Sequence, residues 1–156
     1  MRDPATRPRI APVETDKRTQ ELLESIVEFE LAGVVRFTHY ALMVTGPHRI
    51  PIVTFLQEQA RESLDHAQRA GEILTGLGGH PKMRISSVEE TGEHSVRAVL
   101  EESYSHEKRA IDMYRELLAN VEGKSVFLEE YARGMVAVEE EHLLTLGKMV
   151  RDFESQ

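Results

Sequence analysis

Cysteine is absent from the 156 residues, and so is tryptophan. Without a thiol there is no disulfide framework, no thiolate zinc site, no rubredoxin-type iron centre and no cysteine nucleophile. No apolar run approaches the ~20 residues needed to cross a bilayer, and residues 1–12 lack the hydrophobic segment of a secretory signal. The expectation is a soluble, cytoplasmic protein with no membrane partner. A basic excess is missing too: 19 Lys and Arg stand against 27 Asp and Glu, for a formal net charge of −8. That balance argues against nucleic acid as a partner and is compatible with binding cations. What the chain does have is carboxylates, seven histidines, and 40% hydrophobic residues, enough for the core of one domain.

Residues 1–14 carry several prolines and arginines without periodicity, and are expected to form a mobile tail before a single helical domain over 15–156. From 16 to 45, Leu23, Ile26, Glu30, Gly33, Phe37, Tyr40 and Val44 recur at spacings of three and four, the period of a helix about 45 Å long. Thr15 or Asp16 suits its start, and Gly46-Pro47 its end. A second helix starts near Pro51 and carries Ile52, Leu56, Gln59, Ser63, His66, Ala70, Ile73 and Leu77. A long connection over 78–92 follows, with a candidate capping box at Ser87 and Glu90. The third helix, about 93–120, aligns Val96, Leu100, Ser103, Glu107, Ala110, Tyr114, Leu117 and Val121. The fourth begins after Ser125 and aligns Leu128, Ala132, Met135, Glu139, His142, Leu146, Met149 and Phe153. Two short turns and one long connection predict an all-α four-helix bundle of two antiparallel hairpins joined by a long crossover.

Each stripe contains or borders ionisable residues near its middle: Glu30 on the first helix, Glu62 and His66 on the second, Glu107 on the third, Glu139 and His142 on the fourth. A carboxylate buried without a partner costs several kcal/mol, so it must be protonated, paired or metal-bound. The two halves echo each other, since Glu30 to Glu62 and Glu107 to Glu139 each span 32 positions. Each second glutamate precedes a histidine by three or four residues, which puts the pair on one helical face. A single Glu-x-x-His is more often a solvated pair than a ligand set. Repeated at one height on four helices, the set suits two divalent iron or manganese ions held by oxygen and nitrogen donors.

These residues carry a resemblance to the ferritin-like superfamily, and within it most closely to bacterioferritin. The matching stretches are Glu30-Leu-Ala-Gly-Val-Val-Arg-Phe, His66-Ala-Gln-Arg and Leu-Gly-Gly-His-Pro at 77–81. Glu107 with Tyr114-Arg115, and Glu139-Glu-Glu-His142, complete them. The resemblance implies a dinuclear iron centre with ferroxidase activity, oxidising Fe2+ with dioxygen or peroxide for iron storage or detoxification. Glu30 and Glu107 would be terminal ligands, Glu62 and Glu139 bridging ones, and His66 and His142 nitrogen ligands. It also implies a homo-oligomer, at least a dimer, with a shell of 12 or 24 subunits as the largest form.

Four departures bear on those expectations. The family's helix-two carboxylate falls at Ser63, so either Glu62 turns in, helped by a local π-bulge, or the centre lacks one bridge. The family's haem methionine falls at Ser63 or Leu64, so no methionine-ligated haem is expected. A tyrosine near the metals on helix one is matched by Phe37, and Tyr104 is a candidate for a role beside the metals, with packing as its alternative. Finally, the chain ends at Gln156 without room for the short fifth helix of cage-forming relatives. Two rival functions remain: a non-storage diiron oxidoreductase of rubrerythrin or oxygenase type, and a metal-free helical interaction module.

Overall fold

The computed structural model describes residues 16–154, with side chains described up to Arg151. The tail expected over 1–14 and the side chain of Phe153 lie outside the described residues. Four helices account for the fold: α1 (Lys17–Met43), α2 (Arg49–Gly76), α3 (Val96–Val121) and α4 (Val126–Glu154), with no strand among the described residues.

Local chemistry sets the helix ends. Asp16 caps α1, its Oδ1 accepting from the Thr19 backbone N–H at 2.7 Å and from the Thr19 hydroxyl at 2.9 Å. Ser95 caps α3 through Ala98 N–H, and Ser125 accepts from Leu128 N–H at the start of α4. Helix α3 therefore starts three residues later than its periodicity implies. Gly92 has φ +77°, a left-handed conformation that breaks the approach to the helix, and Ser95 then supplies the cap. Residues 87–90 form no helix, so the Ser87–Glu90 pair is not a capping box.

The crossover of residues 77–95 climbs along α1. Lys82 pairs with Glu24 at 3.2 Å, Arg84 with Glu28 at 2.6 Å, and Ser86 N–H donates to the Glu28 carbonyl. Farther up, Glu90 meets His39. Helix α3 then descends antiparallel to α1, as Tyr40 meeting Glu102 near one end and Thr19 meeting Asn120 at the other require. The architecture is thus two antiparallel hairpins, α1–α2 and α3–α4, joined by one long crossover.

Two apolar clusters fill the bundle, one toward each end. The first gathers Leu22, Leu23 and Ile26 of α1 with Leu74 of α2, Leu117 of α3 and Leu128 of α4. The second gathers Phe37 and Val44 with Leu56, Leu100 and Leu146. Between them each helix presents a short polar interval: Glu30 on α1, residues 59–66 on α2, 103–107 on α3 and 139–142 on α4. The burial of Glu30, Glu107 and Glu139, with at most 4% of each exposed, follows from this placement between two dry plugs.

Candidate metal centre

Glu139 lies at the middle of the polar interval, with 1% of its surface exposed. Its two oxygens face different imidazoles: Oε1 is 2.9 Å from His66 Nδ1, and Oε2 is 3.1 Å from His142 Nδ1. His66 Nδ1 also lies 3.5 Å from Glu30 Oε1. Two groups of metal-type donors result, Glu30–His66–Glu139 and Glu107–Glu139–His142, with the donor atoms of each within 4.8 Å of one another. Glu139 belongs to both.

Proton affinities reflect this crowding. Burial raises Glu30 above the ordinary carboxylate range, against hydrogen bonds from His66 and Tyr114. Burial also raises Glu107, and the neighbouring Glu139 charge pushes it in the same direction. For Glu139 burial is outweighed by hydrogen bonds from His142, His66 and Glu107, which hold it down to about 2. At His66 the cost of burial is overcome by Glu139 and Glu30, which raise it to about 10. The hydrogen bond to Glu139 raises His142 as well. Without a metal ion, protons held in this cluster, foremost the one on His66, offset the buried negative charge. Two divalent cations would replace them, and hard oxygen donors with imidazoles and no thiolate are a donor set that iron or manganese accepts.

Five of the six sequence-derived site residues fall in these two groups: Glu30, His66, Glu107, Glu139 and His142. Glu62 falls in neither. Its side chain is 46% exposed, accepts from Gln59 Nε2 at 2.7 Å, and approaches His142 Nε2 at 3.3 Å. The α2 helix is α-helical throughout Arg49–Gly76 and contains no π-bulge. Position 62 therefore stays about 100° around the helix from the buried Ser63. Glu62 reaches the outer edge of His142 rather than the space between the two groups.

Two further residues shape the interior. Tyr114 donates its hydroxyl to Glu30 Oε1 at 2.8 Å and is almost wholly buried. It lies seven residues after Glu107, two turns along the same face, so the α3 stripe contains the signal, but its partner is 84 residues away. Tyr104, the sequence candidate for a place beside the metals, lines a surface groove with Leu144 and Gly147 instead. His106 is the other residue that the sequence conceals. It sits in a charged run, yet it is buried, stacked on Phe29 at 4.3 Å and edge-on to Phe37 at 5.4 Å. Burial, aided by Arg36, lowers it to about 4 and keeps it neutral. Gly33 permits this packing: a Cβ there would come within 2.8 Å of His106 Nε2 and 2.9 Å of Ser63 Oγ.

No helix among the described residues is long and apolar enough to cross a membrane. The family model of the ferritin-like domain matches residues 20–155. No curated protein matches the chain. Among solved structures, a ferritin-like diiron-carboxylate protein from Bacillus anthracis str. Ames superposes with a TM-score of 0.81 at 23% identity, over 86% of this chain and 96% of that one. A dodecameric thioferritin, the bacterioferritin-related protein of Bacteroides fragilis, gives 0.80 at 23% identity, over 89% and 88%. A Rhodobacter capsulatus bacterioferritin, described with a metal-free dinuclear site and haem iron, gives 0.78 at 19% identity, over 91% and 89%. At these identities the likeness is one of fold.

Proposed function

Because this chain belongs to the ferritin-like domain family, we propose that it binds two Fe2+ ions between its helices and oxidises them, acting as a ferroxidase in iron storage or detoxification. The observation that carries this reading is the position of Glu139, whose two oxygens each serve one of two donor groups. A metal-free structural role would require no such pairing of donor sets around one carboxylate.

Glu30 and His66 hold one Fe2+, Glu107 and His142 the other, and Glu139 lies between them. With both ions bound, each loses one electron and dioxygen accepts the pair: 2 Fe2+ + O2 + 2 H+ gives 2 Fe3+ + H2O2. The side chains supply charge, position and proton release. His66 gives up its proton as the cations enter. Tyr114 holds Glu30 through the 2.8 Å hydrogen bond, fixing one carboxylate oxygen. The apolar clusters above and below keep the ions away from bulk water on two sides. Glu62 orients His142: with Nδ1 turned to Glu139, the other ring nitrogen meets Glu62, the arrangement in which an outer carboxylate fixes an imidazole ligand. Leu64 and Ser63 offer no thioether, so the function includes no methionine-ligated haem.

The proposed protein acts as a homo-oligomer. Large apolar side chains such as Ile50, Leu42 and Phe127 are exposed on the single chain, as expected if neighbouring subunits cover them. Anaerobic titration followed by rapid mixing with oxygen tests the activity. The proposal expects about two Fe2+ bound at the interior centre of each chain and an absorbance rise from Fe3+ on oxygen addition. Interior binding without oxidation would favour another diiron chemistry, and no interior binding would favour the metal-free interaction module. Native mass measurement tests the assembly.

A further inference from the structure

A second group of donors stands away from the interior centre. His39 lies nine residues beyond Glu30 on α1, two and a half turns, so it projects from the opposite side of that helix. There the crossover brings Glu90 and His94 to it. The donor atoms of His39, Glu90 and His94 lie within 4.8 Å of one another, and the two imidazole centroids are 5.6 Å apart. His39 Nε2 is closed to solvent and carries no hydrogen bond, although Glu90 Oε1 stands 3.3 Å from it. A sealed imidazole nitrogen facing a carboxylate without hydrogen-bond geometry is an incomplete polar arrangement. A cavity of about 230 Å³ opens beside it, bordered also by Tyr40 and Thr91.

We propose that His39, Glu90 and His94 form a further divalent-metal site, taking a transition-metal ion such as Zn2+ or Fe2+ through two imidazoles and one carboxylate. The donor set excludes Ca2+ and Mg2+ as preferred occupants, because those ions demand oxygen ligands. Ligands at about 2.1 Å around a tetrahedral ion are about 3.4 Å apart, so closure requires movement of an ångström or so. The crossover can supply it. Residues 84–94 have no regular structure, and Gly92 lies between the two crossover ligands with φ +77°. Within it the chain is already held on either side of Glu90, by Ser86 N–H on the Glu28 carbonyl and by the Thr91 hydroxyl on Glu102. The adjacent Arg36 cation does not oppose the metal unscreened, because Glu102 lies 3.9 Å from it. The cavity leaves room for a water molecule as fourth ligand. The bound ion fastens the crossover to α1, and this site exists whether or not the interior centre oxidises iron.

Equilibrium dialysis against Zn2+ and Co2+ tests it on the full chain. The wild type should bind about one equivalent more than His39→Asn or His94→Asn, whose remaining stoichiometry belongs to the interior centre. Proton NMR of the Co2+-loaded wild type should show the His39 and His94 imidazole signals paramagnetically shifted, a readout that does not depend on either variant folding. Equal stoichiometry in all three folded proteins, or unshifted His39 and His94 signals at saturating Co2+, would overturn the proposal.

Discussion

His66 Nδ1 and Glu139 Oε1 meet at 2.9 Å across the gap between α2 and α4. Those helices belong to different hairpins, so the contact ties the two halves of the bundle together at mid-height. It also marks where a cation would be exchanged for a proton, since His66 in the absence of metal is held up to about 10 by Glu139 and Glu30 after the opposing cost of burial.

That exchange predicts proton release. At pH 7 the metal-free chain carries a proton on His66, and burial together with the Glu139 charge raises the proton affinity of Glu107. Binding a pair of Zn2+ ions to the interior should displace protons, the one on His66 first, measurable with a pH indicator in weak buffer. The sign follows directly: metal must compete with protons, so affinity rises with pH, by about tenfold per unit for each proton displaced. The His39→Asn background removes the contribution of the outer site. A centre that takes up metal without releasing protons would contradict the assignment.

Glu62→Gln should act unevenly. The substitution removes the carboxylate beside His142 Nε2 and leaves the Glu30–His66–Glu139 group intact. Loss of an outer carboxylate of this kind costs about tenfold or more in metal affinity. We expect one of the two interior ions to weaken by about that factor while the other is unchanged, as read by calorimetric titration. Loss of both ions would make Glu62 a bridge; no change would remove it from the site.

Gly33→Ala should destabilise the fold even though alanine is the better helix former by about 1 kcal/mol. Its Cβ would crowd His106 Nε2 and Ser63 Oγ, and His106 cannot retreat freely from its stack on Phe29. Overpacking of this kind costs about 1–3 kcal/mol. Thermal melts of the metal-free protein should show a lower Tm, and an unchanged or higher Tm would mean that the interior yields at that point.

Much of this arrangement is legible in the sequence because one-dimensional spacing records it. Glu30, Glu107 and Glu139 interrupt helical stripes, and the same spacing that buries Leu23 and Phe37 buries them. Two short turns and one long connection fix the hairpin order. The α3 start is less legible, because the conformation of Gly92 and the cap at Ser95 override the periodicity. Glu62 and Ser63 compete for one place in the pattern. Only packing shows that the serine takes the buried position while the glutamate reaches His142 from outside. His106 has charged neighbours in sequence, but its own face meets Phe29 and Phe37 on another helix. Such relationships are absent from local sequence because the partners come from α1.

The most direct test of the central claim is anomalous X-ray diffraction from crystals soaked anaerobically in Fe2+, recorded at the iron edge. The account predicts two interior peaks per chain flanking the Glu139 carboxylate, one beside His66 and the other beside His142. A single interior peak, or peaks that avoid Glu139, would contradict it.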